Sequence, residues 1–128
     1  MFDNFCISDF SKEESIIYLK ALITVAMADN LIHETEKEYI TLQAKMLSLD
    51  INEFWDAPEK DLSFLKPSKM SNVHRMVLLR DCIILSSVDG EYSMVERASI
   101  LEIASMLHLE ESDVENIEDW RNEYLYGL

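Results

Sequence analysis

The chain has 128 residues, and its 25 acidic and 11 basic side chains give a formal net charge of −14, which opposes contact with phosphate backbones and anionic lipid surfaces. Nucleic-acid binding is therefore not expected. Cations or a partner protein with a basic surface would be attracted, although the charge could equally serve only to keep the surface solvated. A hydrophobic content of 48% with only two glycines and two prolines favours helices over a β fold with many tight turns.

Several features indicate a single cytoplasmic domain. The length suits one domain that can bury a sizeable core. The N-terminus has no basic leader, and no apolar run approaches the roughly 18 residues of a spanning helix, so neither secretion nor direct membrane insertion is expected. Cys6 and Cys82 form no Cys-x-x-Cys pair, and Cys82 lies in an apolar helical run, which is typical of a buried, reduced thiol.

The first half of the chain predicts two helices and a short third one. Ser11 and Glu14 match a capping box, in which a hydroxyl and a carboxylate satisfy backbone N–H groups at a helix start. A helix that is apolar on nearly every side should follow over about 12–28. A second, amphipathic helix is expected over about 34–48, and a second capping pattern at Asp50 predicts a short helix carrying Phe54 and Trp55.

The second half repeats this order after a linker at about 57–70 that contains both prolines. Another largely apolar helix is expected from about Ser71 to Val88. Ser93 and Glu96 form a capping box for the next helix, which should end near His108. Ser112 is predicted to cap a final acidic helix over about 113–126.

An internal duplication explains this order. A shift of sixty residues without a gap gives nine identities over the 39 paired positions 16–54 and 76–114, against about two or three expected by chance. The paired residues are Leu19/Leu79, Ile23/Ile83, Asp29/Asp89, Glu36/Glu96, Ile40/Ile100, Ala44/Ala104, Met46/Met106, Leu47/Leu107 and Leu49/Leu109. We therefore predict one all-α domain over 1–128, with repeat 1 at about 11–56 and repeat 2 at about 71–128. Packing the two apolar helices together would give a pseudo-twofold bundle of about six or seven helices.

The least ordinary feature of both copies is an acidic turn. Asp29 and Asp89 fall at predicted helix C-termini, where the negative end of the helix dipole disfavours a carboxylate by about 0.3–1 kcal/mol. A divalent cation such as calcium or magnesium would resolve this conflict, because carboxylates beside unpaired carbonyl oxygens form an oxygen-rich site. The alternative is local: Asp can form an Asx turn, Gly90 can take the left-handed conformation, and Glu96 is a capping residue.

Other chemistry finds little support in the sequence. An EF-hand loop starting at Asp29 would end on Ile40 in place of the required Glu, and an apolar residue also ends the loop that starts at Asp89. The three histidines have no ligand or triad spacing, and there is no glycine-rich phosphate loop. We therefore do not expect an enzyme.

Both copies share one pattern. It consists of a long apolar helix, then Ala28-Asp29-Asn30 or Val88-Asp89-Gly90, then Glu36 or Glu96, and an apolar helix ending in Leu47-Ser48-Leu49 or Leu107-His108-Leu109. This pattern resembles the TerB-like tellurite-resistance family over about 16–114. The resemblance implies a cytoplasmic all-helical domain, a role in tellurite or other stress resistance, and acidic residues that bind a divalent metal. Asn30 replaces the family's usual Gly, and Asn tolerates the left-handed conformation. Carried over by position, the metal candidates are Asp29, Glu36, Asp89 and Glu96, with Glu34 and Glu91 nearby.

Two functions follow as expectations. The first is a non-enzymatic TerB-like stress-response domain that binds a divalent cation through its acidic turns. The second is a metal-free interaction adaptor whose acidic surface binds a basic partner protein, with the turns acting only as helix caps.

Overall fold

The computed structural model describes residues 6–55, 62–88, 90 and 92–126. Over these residues the secondary structure is entirely helical, which confirms the predicted all-α class. Six α-helices occur there: α1 (Lys12–Ala26), α2 (Glu34–Met46), α3 (Asn52–Trp55), α4 (Asn72–Leu85), α5 (Met94–Met106) and α6 (Glu111–Tyr126). Three short 3-10 turns lie at Ile7–Asp9, Leu62–Phe64 and Pro67–Lys69.

The centre of the fold is the pair α1 and α4, which pack against each other as predicted. Both helices are apolar on nearly every side, so a central position is the one that removes most of this surface from water. Leu19 and Leu22 of α1 and Leu78, Leu79 and Ile83 of α4 have no exposed surface. α2 and α5 each contact both central helices, and α6 packs on α4 and α5.

The capping boxes predicted for α1 and α5 are present. Ser11 Oγ accepts the backbone N–H of Glu14 at 3.1 Å, and a Glu14 carboxylate oxygen accepts the N–H of Ser11 at 2.9 Å. Ser93 and Glu96 make the same reciprocal pair at 3.1 and 3.3 Å. These starts were predictable because each box is closed within four residues of sequence.

The α1 and α4 ends differ from the prediction. α1 ends at Ala26 and not near 28, and α4 ends at Leu85 and not at Val88. After Met27 the backbone hydrogen bonds span three residues and no longer four, because the Ala28 N–H donates to the Val25 carbonyl. Asn30 then adopts a left-handed φ of 67°. Asp29 therefore lies in a turn beyond the last helical residue.

α2 and α5 also end about two residues early, at Met46 and Met106. Ser48 and His108 take left-handed φ values of 58° and 60°, and the N–H groups of Leu49 and Leu109 reach back to the Ala44 and Ala104 carbonyls, at 2.9 and 2.8 Å. This is the Schellman motif. A sequence pattern suggests it most clearly when Gly occupies the left-handed position, and here neither copy has Gly.

The predicted cap of α6 is wrong. The helix begins at Glu111, and the Glu110 N–H donates to the Asp113 carboxylate at 2.8 Å, so Ser112 lies inside the first turn. Its hydroxyl contacts Glu110 Oε2 at 3.3 Å and does not cap the backbone.

Local structure recurs at the sixty-residue offset. α2 and α5 have equivalent bounds, and the left-handed positions Asn30/Gly90 and Ser48/His108 coincide. A pseudo-twofold relation between the two halves, and the proposed repeat boundaries, remain predictions. No helix among the described residues has the length and apolar character needed to cross a bilayer.

Candidate metal site at the two acidic turns

The first acidic turn joins α1 to α2 and is described in full. Asp29 Oδ1 accepts the backbone N–H of Leu31 at 3.1 Å, which closes an Asx turn around the left-handed Asn30. Its other oxygen, Oδ2, lies 3.9 Å from His33 Nε2. The Asp29 side chain is about one-third exposed. One Asp29 oxygen therefore has a structural role, and the other lies beside an imidazole that is cationic only when protonated.

Glu36 occupies the third position of α2 and has no exposed surface. Its Oε1 accepts the backbone N–H of His33 at 3.2 Å, so it caps α2 in the way that the sequence suggested for Glu96 at the start of α5. Glu34 at the start of the same helix is exposed. A carboxylate near a helix N-terminus is stabilised by the helix dipole, which accounts for the tolerance of Glu36 in the interior.

The second acidic turn leads from α4 into α5. Gly90 has φ of 84°, a left-handed conformation that favours Gly, and open space lies where a side chain would begin. Glu96 is 3% exposed and accepts both the N–H and the hydroxyl of Ser93 through Oε1. The predicted ligands Asp89 and Glu91 lie outside the described residues.

A divalent cation site needs several oxygen ligands in one place. Calcium takes six to eight oxygen ligands, and magnesium takes six with a strict geometry. Across residues 6–55, 62–88, 90 and 92–126, no three His, Cys, Asp or Glu side chains are grouped so that they could hold a metal ion. The described residues of the two turns therefore do not by themselves bring three such side chains together. The predicted site also includes Asp89 and Glu91, and it stays a prediction.

Arg121 of α6 supplies a positive charge beside the second turn. Its Nη1 donates to Ser87 Oγ at 3.1 Å, and its guanidinium carbon lies 4.7 Å from the centre of the Tyr92 ring. Ser87 and Tyr92 lie just before and after the turn, so Arg121 fixes both ends of it. The guanidinium also offsets the negative end of the α4 dipole. This role was not visible in the sequence because Arg121 is about thirty residues from the turn.

Arg97 and Glu118 join α5 to α6 near the same turn. Arg97 Nε and Nη2 donate to the two Glu118 oxygens at 2.9 and 3.0 Å, which is the bidentate geometry that makes such pairs strong. Burial is the largest single effect and would raise the pKa of Glu118, but the hydrogen bonds from Arg97 and Tyr92 and the charges of Arg97 and Arg121 together hold that pKa below its usual value. Burial and the Glu118 carboxylate raise the pKa of the Tyr92 hydroxyl.

A buried polar network connects the two halves of the molecule. The Tyr18 hydroxyl donates to Asp81 Oδ2 at 2.6 Å and accepts from Gln43 Nε2 at 2.6 Å, and Arg80 Nε donates to Asp81 Oδ1 at 2.7 Å. Tyr18 and Asp81 are at most 1% exposed. Burial, followed by the Asp81 charge, raises the pKa of Tyr18 well above its usual value, so the phenol remains a neutral donor.

Two further chemically reactive side chains, His74 and Cys82, also serve the fold. His74 Nδ1 contacts Glu14 Oε2, which links the first turn of α4 to that of α1. Burial would raise the pKa of Glu14, but hydrogen bonds from the Ser11 N–H and from His74 hold it below its usual value. The Cys82 thiol is buried as predicted, and burial raises its pKa. A buried, protonated thiol is a poor nucleophile.

Comparison with known proteins supports the fold. A crystal structure of a tellurite resistance protein from Nostoc punctiforme aligns with a TM-score of 0.66 and 24% identity, covering 93% of this chain and 84% of that one. The chain matches no protein-family model and no curated sequence. The predicted resemblance to the tellurite-resistance family is thus confirmed at the level of the fold, and the chain has the all-helical architecture of that protein.

Proposed function

We propose that this chain is a non-enzymatic, cytoplasmic stress-response domain of the TerB-like, tellurite-resistance type, and that it binds a divalent cation through its acidic turns. The observation that carries this proposal is the fold shared with a tellurite resistance protein over 93% of the chain. The contacts of His74 and the burial of Cys82 support a non-enzymatic role, because both side chains are committed to the fold.

The cation part of the proposal centres on the second turn. Asp29 accepts a backbone N–H and Glu36 caps α2, so part of the ligand capacity of the first turn is already used. In the sequence, Asp89 and Glu91 are the neighbours of the left-handed Gly90, and carboxylates are the ligands that an oxygen-ligated cation prefers. The other predicted carboxylates contribute a negative field that raises the local cation concentration. They are Asp29, Glu34, Glu36 and Glu96.

The experiment is thermal unfolding of chelator-treated protein with calcium, magnesium, manganese or zinc added singly, and with a monovalent salt as the control for charge screening. Linkage predicts about 2.7 kcal/mol of stabilisation at a hundredfold excess of cation over its dissociation constant. Asp89→Ala should remove this response and Asp29→Ala should weaken it. Asp50→Ala is the matched control, since Asp50 closes an Asx turn onto the Asn52 N–H outside both acidic turns. A response that survives in Asp89→Ala would exclude the proposed site.

A second candidate function is the metal-free adaptor, which engages a partner with a basic surface. Apolar side chains exposed around both turns favour it: Leu31 is 61% exposed, Val88 37% and Met94 89%. Apolar groups surrounded by acidic residues are typical of a protein-interaction surface. Comparison of low-salt pull-downs with wild-type protein and a Met94→Ser variant tests this function. Recovery of the same proteins by both, or of none by either, would argue against it.

A further inference from the structure

The outer face of α2 exposes two neighbouring apolar side chains to water. Leu42 is 56% exposed and Met46 is 62% exposed. Residues four apart lie side by side on a helix, so these two side chains form one continuous apolar strip and are not scattered singly over the surface. Glu38 and Thr35 continue the strip towards the start of the helix, and both are exposed.

The strip lies away from the neighbours that α2 has in the fold. Ile40 and Ala44 are buried on the inner face of α2, which packs on α1 and α4. On one flank, the Lys37 ammonium lies 5.8 Å from the centre of the Trp55 ring, which places α3 on that side of α2. At 100° per residue, Met46 is on the flank opposite Lys37. α3 therefore does not cover the strip.

The exposed charges of α2 are balanced, although the chain as a whole has a net charge of −14. The structure describes every residue of this helix, and its exposed charged side chains are Glu34, Lys37, Glu38 and Lys45. Two copies of the chain repel each other overall, but charges more than about 8 Å apart are largely screened at physiological ionic strength. The outer face of α2 is therefore a place where a second copy can approach.

The order of these charges fits a copy that runs in the opposite direction. Glu38 and Lys45 are seven residues apart, about 10 Å along the helix, so they do not face each other within one α2. In an antiparallel pair with Leu42 near the twofold axis, Lys45 of each copy lies level with Glu38 of the other. The same alignment places Leu42 against Leu42 and Met46 beside Thr35.

We propose that the chain forms a weak, symmetric homodimer in which α2 packs antiparallel against α2 of a second copy. Contact of Leu42 and Met46 supplies the attraction, and the two reciprocal pairs of Lys45 with Glu38 set the direction and the register. A helix of 13 residues is about 20 Å long, so the interface is small and its dissociation constant is on the order of 100 μM. The inference goes beyond the proposed cation-binding function and does not depend on it.

Sedimentation equilibrium of the full chain over about 10 μM to 1 mM, at physiological ionic strength, measures the dimer. The wild type is expected to change from monomer to dimer across this range. Leu42→Ser with Met46→Ser should weaken association at least about tenfold, because apolar contact is lost from both copies. Met94→Ser with Val95→Ser is the matched control: these side chains are 89% and 51% exposed at the start of α5, and association should stay unchanged.

Charge reversal tests the direction of the helices. Lys45→Glu and Glu38→Lys should each weaken association about tenfold, since each turns two attractive contacts into repulsive ones. The double variant Lys45→Glu with Glu38→Lys keeps the net charge at −14 and should restore the wild-type affinity. Repulsion between whole molecules would give a different order, because Glu38→Lys makes the chain less negative and would then associate more tightly than the wild type.

Three results would overturn the proposal. A chain that stays monomeric up to about 1 mM would leave the strip to a different protein. Serine variants of α2 and α5 that lose association equally, or not at all, would place the contact elsewhere. A double charge reversal that does not restore association would exclude the antiparallel pairing. Circular dichroism checks that each variant is folded, which is expected because every exchanged side chain is exposed.

Discussion

The substitution Tyr18→Phe tests the claim that a buried polar network holds the two halves of the fold together. It removes one hydroxyl that donates to Asp81 Oδ2 and accepts from Gln43 Nε2, both at 2.6 Å. The apolar ring stays, so the cost comes from two buried atoms, Asp81 Oδ2 and Gln43 Nε2, that lose this hydrogen bond, while Asp81 Oδ1 keeps the one from Arg80. An unsatisfied buried group costs about 1–3 kcal/mol, and more when it is charged, so we expect a loss of about 2–5 kcal/mol.

Urea unfolding followed by circular dichroism measures this loss, with Tyr124→Phe as the control because Tyr124 is 67% exposed. The control should change the unfolding free energy by less than about 0.5 kcal/mol. Combining Tyr18→Phe with Gln43→Leu should be non-additive by at least about 0.5 kcal/mol, since the two side chains share a hydrogen bond. A loss below about 1 kcal/mol for Tyr18→Phe, or strict additivity of Tyr18→Phe and Gln43→Leu, would show that this polar network does not hold the two halves together.

Three further predictions concern helix ends and pH. Ser48→Gly and His108→Gly should each stabilise the fold by up to about 1 kcal/mol in urea unfolding, because both residues hold left-handed φ values that Gly adopts without strain. A destabilising effect at both sites would contradict the Schellman ends. Ser93→Ala should cost about 1 kcal/mol as a lost cap, whereas Ser112→Ala should cost less than about 0.5 kcal/mol because Ser112 lies inside α6. Equal losses of unfolding free energy in the two variants would indicate that Ser112 does cap α6. The pKa of Glu118 is lowered in the fold, so its stabilising contribution is present above the unfolded pKa and is lost as pH falls through the folded one. In Glu118→Gln, the free energy of unfolding should therefore decrease less steeply as the pH falls below about 4.5. An unchanged acid profile would show that the Arg97 pair does not carry this dependence.

The parts of the fold that the sequence predicted are those determined by short-range patterns. Capping boxes at Ser11 and Ser93 depend on residues three positions apart, and the apolar character of α1 and α4 is visible in each segment alone. Both led to correct helix starts and to the central α1–α4 pair. The helix ends were less predictable, since Asn30, Ser48 and His108 carry left-handed conformations that a sequence signals mainly through Gly.

The features that the sequence missed depend on tertiary contacts. Arg80 and Asp81 of α4, and Ser87 just beyond its end, are polar residues in an apolar stretch, but their burial against Tyr18 and Arg121 depends on where other helices lie. Patterns within one helix do not report such pairs.

The candidate metal site was predictable only as a set of residues. Repetition pointed to Asp29 and Asp89, and the helix-dipole argument suggested a cation. The structure places Asp29 beyond the helix end in an Asx turn, where one oxygen meets a backbone N–H. The dipole argument is therefore weaker for the first turn than the sequence suggested, and the second turn carries the proposal.

Equilibrium dialysis of chelator-treated protein against trace divalent metals, with elemental analysis of the retained ions, would decide whether the chain binds a cation through Asp89. We expect the wild-type chain to retain a saturable divalent cation that Asp50→Ala also retains and that Asp89→Ala loses. Equal retention by the wild type and Asp89→Ala, whether of some metal or of none, would contradict it and leave the adaptor as the function to pursue.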